Sequence, residues 1–154
     1  MVRREVTVRR AELSDCAALA AIDAASNSGS WGEGGFAEFL GGSMAMLLLA
    51  ETEGEIAGFI ACELQGDLMA VDELAVAPNH RRMGIATTLM EMAEAVAREM
   101  ACATLTLEVR QQNIGAIAFY QSFGFAPEGI RKNLYSAPPD HGVVMTKKLI
   151  CEDK

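Results

Sequence analysis

The segment from Asp72 to Thr88 constrains the fold of this chain more than any other. An apolar strand, Leu68 to Val76, leads into a basic turn that carries a glycine, and a helix begins directly after Gly84. The first amide groups of a helix lack intrahelical partners, and the helix dipole is positive at that end. Arg81 and Arg82 add positive charge beside these amides. The junction therefore predicts a binding site for the phosphates of a ligand.

Length and composition indicate one globular domain over residues 1–154. Of the 154 residues, 51% are hydrophobic, and few of these are aromatic, which is typical of an aliphatic core. Thirteen basic against twenty-one acidic residues give a net charge of −8. This balance argues against a general nucleic-acid surface and favours a basic peptide or an amine as the partner.

The cysteines, the start of the chain and the lengths of its apolar segments indicate the cellular compartment. Four cysteines occur without a CxxC pair and without a histidine at ligand spacing, so we expect neither a metal nor a disulfide framework. The basic start of the chain has no apolar stretch behind it, so no signal peptide is predicted. Met44 to Ala50 is apolar but too short to span a bilayer. We therefore expect a cytoplasmic protein that does not enter a membrane.

Hydrophobic periodicity predicts an α/β (α+β) fold with an antiparallel centre. Three apolar runs, separated by polar turns that contain glycine, form an antiparallel meander. A doubly wound dinucleotide fold needs a βαβ run instead, so the sequence argues against that fold. The remaining elements follow from alternation, helical spacing and capping residues. The predicted strands contain Val6 and Val8, Met44–Ala50, Ile56–Leu64, Leu68–Val76, Leu105–Val109 and Val143–Met145; the predicted helices contain Ala17–Ile22, Phe36–Leu40, Gly84–Met100 and Asn113–Ser122.

Two separated motifs carry a family resemblance. Arg81, Gly84 and Ala86 follow the strand with Arg-x-x-Gly-x-Ala spacing, and about thirty residues later Asn113 and Tyr120 stand in an Asn-x-x-Ala-x-x-x-Tyr pattern. The first motif resembles the acetyl-coenzyme A motif of the GCN5-related N-acetyltransferase (GNAT) superfamily, and the second resembles the downstream half of the same family. A P-loop does not fit because no Lys-Ser or Lys-Thr follows the glycine, and the dinucleotide fingerprint lacks its third glycine.

The resemblance implies both the fold and the cosubstrate. It implies a mixed, mostly antiparallel sheet of about six to seven strands, flanked by about four helices and splayed between the two central strands. Acetyl-CoA would lie with its pantetheine arm along the edge of the strand before the turn and its pyrophosphate at the helix N-terminus. The implied coenzyme-binding residues are Leu74, Ala75, Val76, Arg81, Arg82, Met83, Gly84, Ile85, Ala86, Thr87 and Asn113.

The catalytic residues implied by the resemblance are Glu108 and Tyr120. A phenol can protonate the thiolate that leaves when an amine attacks a thioester, which is the role implied for Tyr120. The attacking amine must be neutral, and an α-amino group has a pKa of about 8, so a modest base suffices. Glu108 is the implied base, and Asp72 and Glu73 are the competing carboxylates.

Within this superfamily, the segments Thr104–Arg110 and Ala116–Phe125 most resemble the bacterial ribosomal-protein alanine N-acetyltransferases. That resemblance implies transfer to a protein N-terminus, in particular a basic ribosomal-protein peptide. Trp31, Asp72, Glu73 and Tyr135 are the residues expected on the substrate side. The chain departs from the family pattern at Asp72-Glu73, at Leu134 and at Gly142-Val143, all of them near the expected acceptor site.

Two other functions are also compatible with the sequence. The departures are compatible with a small amine as acceptor, such as a polyamine or an aminoglycoside. A coenzyme-binding module without catalysis is the third possibility, although the presence of both Glu108 and Tyr120 argues against it. We expect a monomer or a weak homodimer.

Overall fold

The computed structural model describes residues 5–26 and 31–149. This part of the chain forms seven strands and four α-helices, in agreement with the six to seven strands and about four helices that the family resemblance implies. In chain order the elements are β1 (Thr7–Arg10), α1 (Cys16–Ser26), α2 (Gly32–Leu40), β2 (Ala45–Thr52), β3 (Glu55–Gln65), β4 (Leu68–Val76), α3 (Ile85–Glu99), β5 (Thr104–Arg110), α4 (Ile114–Ser122), β6 (Ala126–Ser136) and β7 (Pro139–Lys148).

The strands form one mixed sheet in the order β1-β2-β3-β4-β5-β7-β6. β2, β3 and β4 make the predicted antiparallel meander, with tight turns between them. The single parallel pair is β4 and β5, because α3 carries the chain back across the sheet between these strands. The predicted mixed and mostly antiparallel sheet is confirmed.

Each face of the sheet buries its own apolar core. On one face the stripe of α3 that contains Leu89 packs on β2 to β5, and apolar residues of α4 pack on the same cluster. On the other face α1 and α2 cover a second cluster, in which the ring of Phe36 meets the ring of Phe59 edge-on at 5.2 Å.

β4 and β5 pair over only part of their length. Their register runs from Leu68 opposite Thr104 to Val71 opposite Leu107, and the following residues of the two strands do not pair with each other. β4 stays bonded to β3 as far as Val76, while β5 stays bonded to β7. The sheet therefore opens between its central strands, and the predicted splay is confirmed.

A β-bulge in β4 begins where this divergence begins. Cys62 of β3 pairs with Val71, whereas the preceding Ala61 pairs with Glu73, so that Asp72 is an additional residue in β4. Before the bulge Val71 packs in the cluster under α3; after it Leu74 packs against that same cluster, although the two positions differ in parity. The bulge therefore shifts the alternation of β4 by one residue.

Two elements differ from the sequence expectations. β6 was not among the predicted strands, because it lies at the sheet edge and almost all of its residues are exposed, which removes the alternation that identifies a strand. α2 begins at Gly32, earlier than the predicted start at Phe36, although its first turn is rich in glycine. Burial of Phe36 outweighs the poor helix propensity of these glycines. Part of the predicted glycine-rich loop, residues 27–30, lies outside the described residues.

Candidate active site

A cleft of about 810 Å³ occupies the space between the diverging halves of β4 and β5. The helix α4 and the β6–β7 hairpin contribute to its walls. Three acidic residues, one phenol from α4 and one from β6 line it together with polar and apolar groups. The lining consists of Ser26, Val71, Asp72, Glu73, Leu74, Leu107, Glu108, Val109, Arg110, Asn113, Ala116, Tyr120, Leu134, Tyr135, Ser136, Ala137 and Pro138.

Glu73 lies in this cleft as half of a pair of carboxyl groups. Its partner is Asp23 of α1, which is fully buried and also accepts a hydrogen bond from the backbone N–H of Trp31 at 3.1 Å. Burial, followed by the hydrogen bond with Asp23, raises the pKa of Glu73 to about 8. Two carboxylates this close cannot both be charged at low cost, so the pair retains one proton near neutral pH.

Asp72 belongs to a second pair, with Glu63 of β3. Removal of the Asp72 carboxyl from water and its hydrogen bond with Glu63 raise its pKa to about 7, and the charge of Glu108 contributes to the same shift. The bulge thus gives two adjacent acidic residues separate carboxyl partners, one on α1 and one on β3. Both of these acids line the cleft.

Glu108 is the predicted base on the opposite wall, and its carboxylate is paired. The Nη1 of Arg131, in β6, donates to Glu108 Oε2 at 2.5 Å; the Arg131 side chain is 60% exposed and that of Glu108 is 36% exposed. Neighbouring Arg110 donates to the carbonyl oxygens of Ala137 and Pro138, at 3.1 and 2.7 Å. Its guanidinium lies 4.3 Å from the ring centre of Tyr135. Charged contacts therefore tie β5 to the β6–β7 hairpin.

Tyr120 reaches the cleft from α4, and packing fixes its ring. The ring meets Phe125 edge-on at 5.8 Å and Phe119 at 5.3 Å between centres. Burial, with the nearby Glu73 as the next cause, raises the pKa of Tyr120 to about 12. The phenol therefore keeps its proton throughout the physiological range, so it is suited to donating a proton.

The predicted coenzyme-binding residues lie along one continuous path. In the described part of the chain no strand pairs with the edge of β4 that faces away from β3 after the bulge, so the backbone groups between Leu74 and Val76 that point to that side are open. The path continues to the N-terminus of α3, where Gly84 has a φ of +76°. Only glycine adopts that conformation without strain, and it leaves the helix amides approachable. The arrangement fits an extended ligand that carries phosphates at one end.

Hydrogen bonds of Ser26 and Arg81 occupy part of this open strand edge. The Ser26 hydroxyl donates to the carbonyl oxygen of Val76 at 3.2 Å, and Arg81 Nη2 donates to Ser26 Oγ at 3.4 Å. One carbonyl of the open edge is therefore already paired with α1. Asn113 caps α4, since its Oδ1 accepts a hydrogen bond from the N–H of Ala116 at 3.0 Å, and it also lines the cleft.

The pattern of the acetyltransferase (GNAT) family matches residues 16–125, which cover α1 to the end of the α4 segment and so include both motifs. The chain belongs to this family. The match extends from the N-terminal helix that carries Asp23 to Phe125, which packs on Tyr120. The strands β4 and β5 and the helix α4 therefore lie within the matched range, whereas the β6–β7 hairpin, which also lines the cleft, lies outside it.

Named relatives of this GNAT acetyltransferase have more than one acceptor. The [ribosomal protein bS18]-alanine N-acetyltransferase of Escherichia coli (strain K12) is 32% identical over 129 residues, 84% of this chain and 86% of the relative. The crystal structure of the ribosomal-protein-S18-alanine N-acetyltransferase from Escherichia coli matches with a TM-score of 0.88 at 27% identity, covering 97% of each chain. The streptothricin acetyltransferase of Streptomyces lavendulae is 34% identical over 118 residues, 75% of this chain and 62% of that protein.

Trp31 is the predicted substrate-side residue of this acetyltransferase that does not line the cleft. It packs between the rings of Phe36 and Phe39, at 5.1 and 5.0 Å, and borders a separate groove of about 650 Å³. That groove also contains Glu63, the partner of Asp72. Trp31 is thus connected to the cleft through both carboxyl pairs, since its N–H donates to Asp23 and its groove contains Glu63.

Sequence reasoning missed three residues of this acetyltransferase site: Asp23, Ser26 and Arg131. Asp23 carried a signal, because it is the one charged residue of the otherwise small and apolar helix α1. A charged group in such a helix is either solvated or paired in the interior. Ser26 ends that helix, and Arg131 stands in the exposed strand that periodicity did not identify, so neither position carried a comparable signal.

The described residues of the acetyltransferase offer no cluster of three or more histidine, cysteine or acidic side chains suited to a metal ion. Cys16, Cys62 and Cys102 are buried free thiols, and burial raises the pKa of each. Such thiols are poor nucleophiles. No described helix has both the length and the hydropathy needed to cross a bilayer. Cys151 lies outside the described residues.

Proposed function

We propose that this acetyltransferase moves an acetyl group from acetyl-CoA directly to the α-amino group at the N-terminus of a protein, of the ribosomal-protein alanine type. The observation that carries this proposal is the cleft between β4 and β5, in which a protonated phenol and several carboxyl groups face the same space. The named relatives from Escherichia coli support a protein N-terminus as the acceptor.

In this proposal the coenzyme lies along the open edge of β4 and the N-terminus of α3. Backbone groups of Leu74, Ala75 and Val76 receive the pantetheine arm. The amides from Arg82 to Thr87 and the charge of Arg81 receive the pyrophosphate, and Asn113 contacts the coenzyme beside α4. The coenzyme supplies the acetyl group as a thioester. Binding requires Ser26 to release the carbonyl of Val76, if that carbonyl pairs with the coenzyme.

The residues on the two walls have different tasks. Tyr120 donates its proton to the leaving thiolate, which is possible because its pKa of about 12 keeps the phenol protonated. Glu108 accepts a proton from the amine, and its exposure lets it pass that proton to water. Tyr135, Asp72 and Glu73 contact the acceptor. The buried thiols have no task, so the transfer does not proceed through an acetylated cysteine.

A small amine is the second candidate acceptor. The relative named streptothricin acetyltransferase favours it, since its identity to this chain is similar to that of the ribosomal-protein enzyme. The acidic cleft attracts a small cation as well as a basic peptide. A cytoplasmic location, the absence of nucleic-acid binding and a monomeric or weakly dimeric state remain part of the proposal.

Acceptor screening tests the proposal. Purified protein is incubated with acetyl-CoA and either peptides with N-terminal alanine, the same peptides with a blocked N-terminus, polyamines or aminoglycosides, and thiol release is followed. We expect release with the free peptides and none with the blocked peptides. Activity confined to polyamines or aminoglycosides overturns the protein acceptor and selects the second candidate. Absence of thiol release with every amine overturns the catalytic proposal.

A further inference from the structure

Glu73 has an unusual position for a carboxyl group in this cleft. The bulge directs it toward α1, where its carboxyl meets that of Asp23, while Glu73 itself still lines the cleft. Its Oε2 atom is buried and has no hydrogen-bond partner among the described residues. A buried carboxyl oxygen without a partner is costly, and such atoms are rare unless function requires them.

The other carboxyl groups of the cleft differ from Glu73 in this respect. Glu108 Oε2 already accepts a hydrogen bond from Arg131. Asp72 is paired with Glu63. Glu73 therefore combines three properties: it lines the cleft, it has a free buried oxygen, and it shares an electrostatic environment with Tyr120. An ammonium group in the cleft would supply the missing partner for this oxygen.

We propose that Glu73 is a catalytic residue of the transfer, one that receives the first proton from the acceptor's ammonium group, and that Asp23 is the residue that positions and tunes it. This inference rests on the proposed function, because it assigns a residue to the acetyl transfer described above. The reaction then has two proton acceptors: Glu73 accepts the first proton of the ammonium group, and Glu108 accepts the second.

The proton balance of the reaction explains why two acceptors are useful. In the ionised form of Glu73, which predominates above its pKa, the ammonium gives one proton to Glu73 Oε2, and the freed lone pair of nitrogen forms the bond to the acetyl carbon. The carbon–sulfur bond breaks, and the thiolate takes the proton of Tyr120. The second proton leaves the nitrogen as the amide forms and passes to Glu108. Of the two protons released, one restores Tyr120 and the other goes to water.

The properties of Glu73 suit the first of these steps. Its pKa of about 8 lies close to that of an α-ammonium group, about 8, so proton transfer between them is nearly balanced in free energy. The groups that face it from the surrounding elements are Asp23 of α1, Asp72 of β4, Tyr120 of α4 and Tyr135 of β6. None of these carries positive charge, so a cationic substrate is the group that would ionise Glu73.

Kinetics of a matched pair of variants test the inference. Glu73→Gln keeps the shape of the side chain but cannot accept a proton, whereas Glu91→Gln removes the same charge from the exposed face of α3. With a peptide carrying N-terminal alanine we expect kcat to fall about 10²-fold in Glu73→Gln, in the range found for general bases, and to stay within twofold in Glu91→Gln. An unchanged kcat in Glu73→Gln overturns the inference.

The pH profile separates catalysis from a structural role. Asp23→Asn removes a group that raises the pKa of Glu73, so the rise of kcat/KM with pH should move to lower pH relative to the wild type. The carboxyl titration of Glu73, followed by ¹³C NMR and assigned by its loss in Glu73→Gln, should move in the same direction. A profile that stays in place while the titration moves overturns the catalytic role.

The failure of this inference can be distinguished from that of the proposed function. The comparison uses whichever amine the wild type acetylates in the acceptor screen. No transfer by the wild type to any amine overturns both proposals. Transfer by the wild type to an amine, with kcat equal in Glu73→Gln, overturns only the role of Glu73.

Discussion

The side chain of Leu134 in β6 occupies the space beside Gly142 in β7 where a Cβ atom at position 142 would stand. A Cβ built on Gly142 would collide with the Leu134 side chain, which also lines the cleft. Both positions were noted from the sequence as departures from the family pattern. The structure shows that they are in contact, so the missing side chain at one position makes room for the leucine at the other.

This contact predicts the effect of Gly142→Ala. We expect a loss of about 1 kcal/mol or less in the free energy of unfolding, because the atom closest to the new methyl group is the end of the flexible, half-buried Leu134 side chain, together with a higher KM for the acceptor as Leu134 shifts in the cleft. Denaturant unfolding and steady-state kinetics measure the two effects. Gly129→Ala in β6 is the control, since a Cβ there meets no atom within 4 Å. The double variant Leu134→Ala/Gly142→Ala should recover part of the loss.

Tyr120→Phe should lower kcat by about 10²- to 10⁴-fold while the KM for acetyl-CoA changes little, because only the donated proton is removed. The ring contacts with Phe119 and Phe125 do not involve the hydroxyl, so the fold should persist. Tyr135→Phe provides a comparison on the acceptor side, where we expect a change in the KM of the peptide. Equal kcat values for Tyr120→Phe and the wild type would contradict the role of the phenol as acid.

Gly84→Ala should raise the KM for acetyl-CoA, since alanine at a φ of +76° strains the turn before α3 and adds a methyl group where the phosphates are proposed to bind. Gly66→Ala, in the turn between β3 and β4, is the matched control for the backbone strain that Gly84→Ala introduces. That glycine has a φ of +66°, and a Cβ there also meets no atom within 4 Å. Both variants should lose similar stability, but only Gly84→Ala should weaken coenzyme binding in titration calorimetry.

The stability of the protein should depend on pH through Glu73. Its pKa is raised from 4.5 to about 8 in the folded protein, so over this window the folded state holds a proton that the unfolded chain has lost. The free energy of unfolding therefore falls as the pH rises from about 4.5 to about 8. Glu73→Gln should show a flatter Tm profile across that window. Parallel profiles for variant and wild type would contradict the raised pKa.

The pair formed by Glu108 and Arg131 should contribute little to stability, although it spans two strands. Both side chains are in contact with water, and solvent-exposed ion pairs contribute about 0.2–1 kcal/mol. A double-mutant cycle with Glu108→Gln and Arg131→Gln should give a coupling energy in this range. A loss of activity in Glu108→Gln would then be assigned to chemistry, because the fold stays intact.

The elements with strong periodicity were predictable from the sequence. β4 was predicted at its observed bounds, and the Asn113 cap was identified from its place before an apolar run. The splay came from the family resemblance, since no local pattern reports that two strands stop pairing. Tyr120 was placed by its motif, and the structure brings it to the same cleft as Glu108.

Pairings between distant segments were not predictable in the same way. Asp23 and Glu73 are fifty residues apart, and only the packing of α1 on the sheet brings them together. The bulge has no signature in the sequence, because Asp72-Glu73 reads as two residues on opposite faces of a regular strand. The exposed edge strand β6 buries too little to show a pattern, so Arg131 was not assigned to the site.

The bulge at Asp72 also separates two parts of β4 that can change independently during evolution. Residues after it keep their orientation toward α3 as long as the strand keeps its length, whatever side chains stand at positions 72 and 73. Point substitutions at these two positions can therefore change the charge of the cleft, or remove the proton acceptor proposed at Glu73, without disturbing the edge proposed for the coenzyme. A deletion of one residue here would instead reverse the orientation of Leu74 and Val76. The fold of the strand is thus tolerant of substitution at these two positions and intolerant of changes in length.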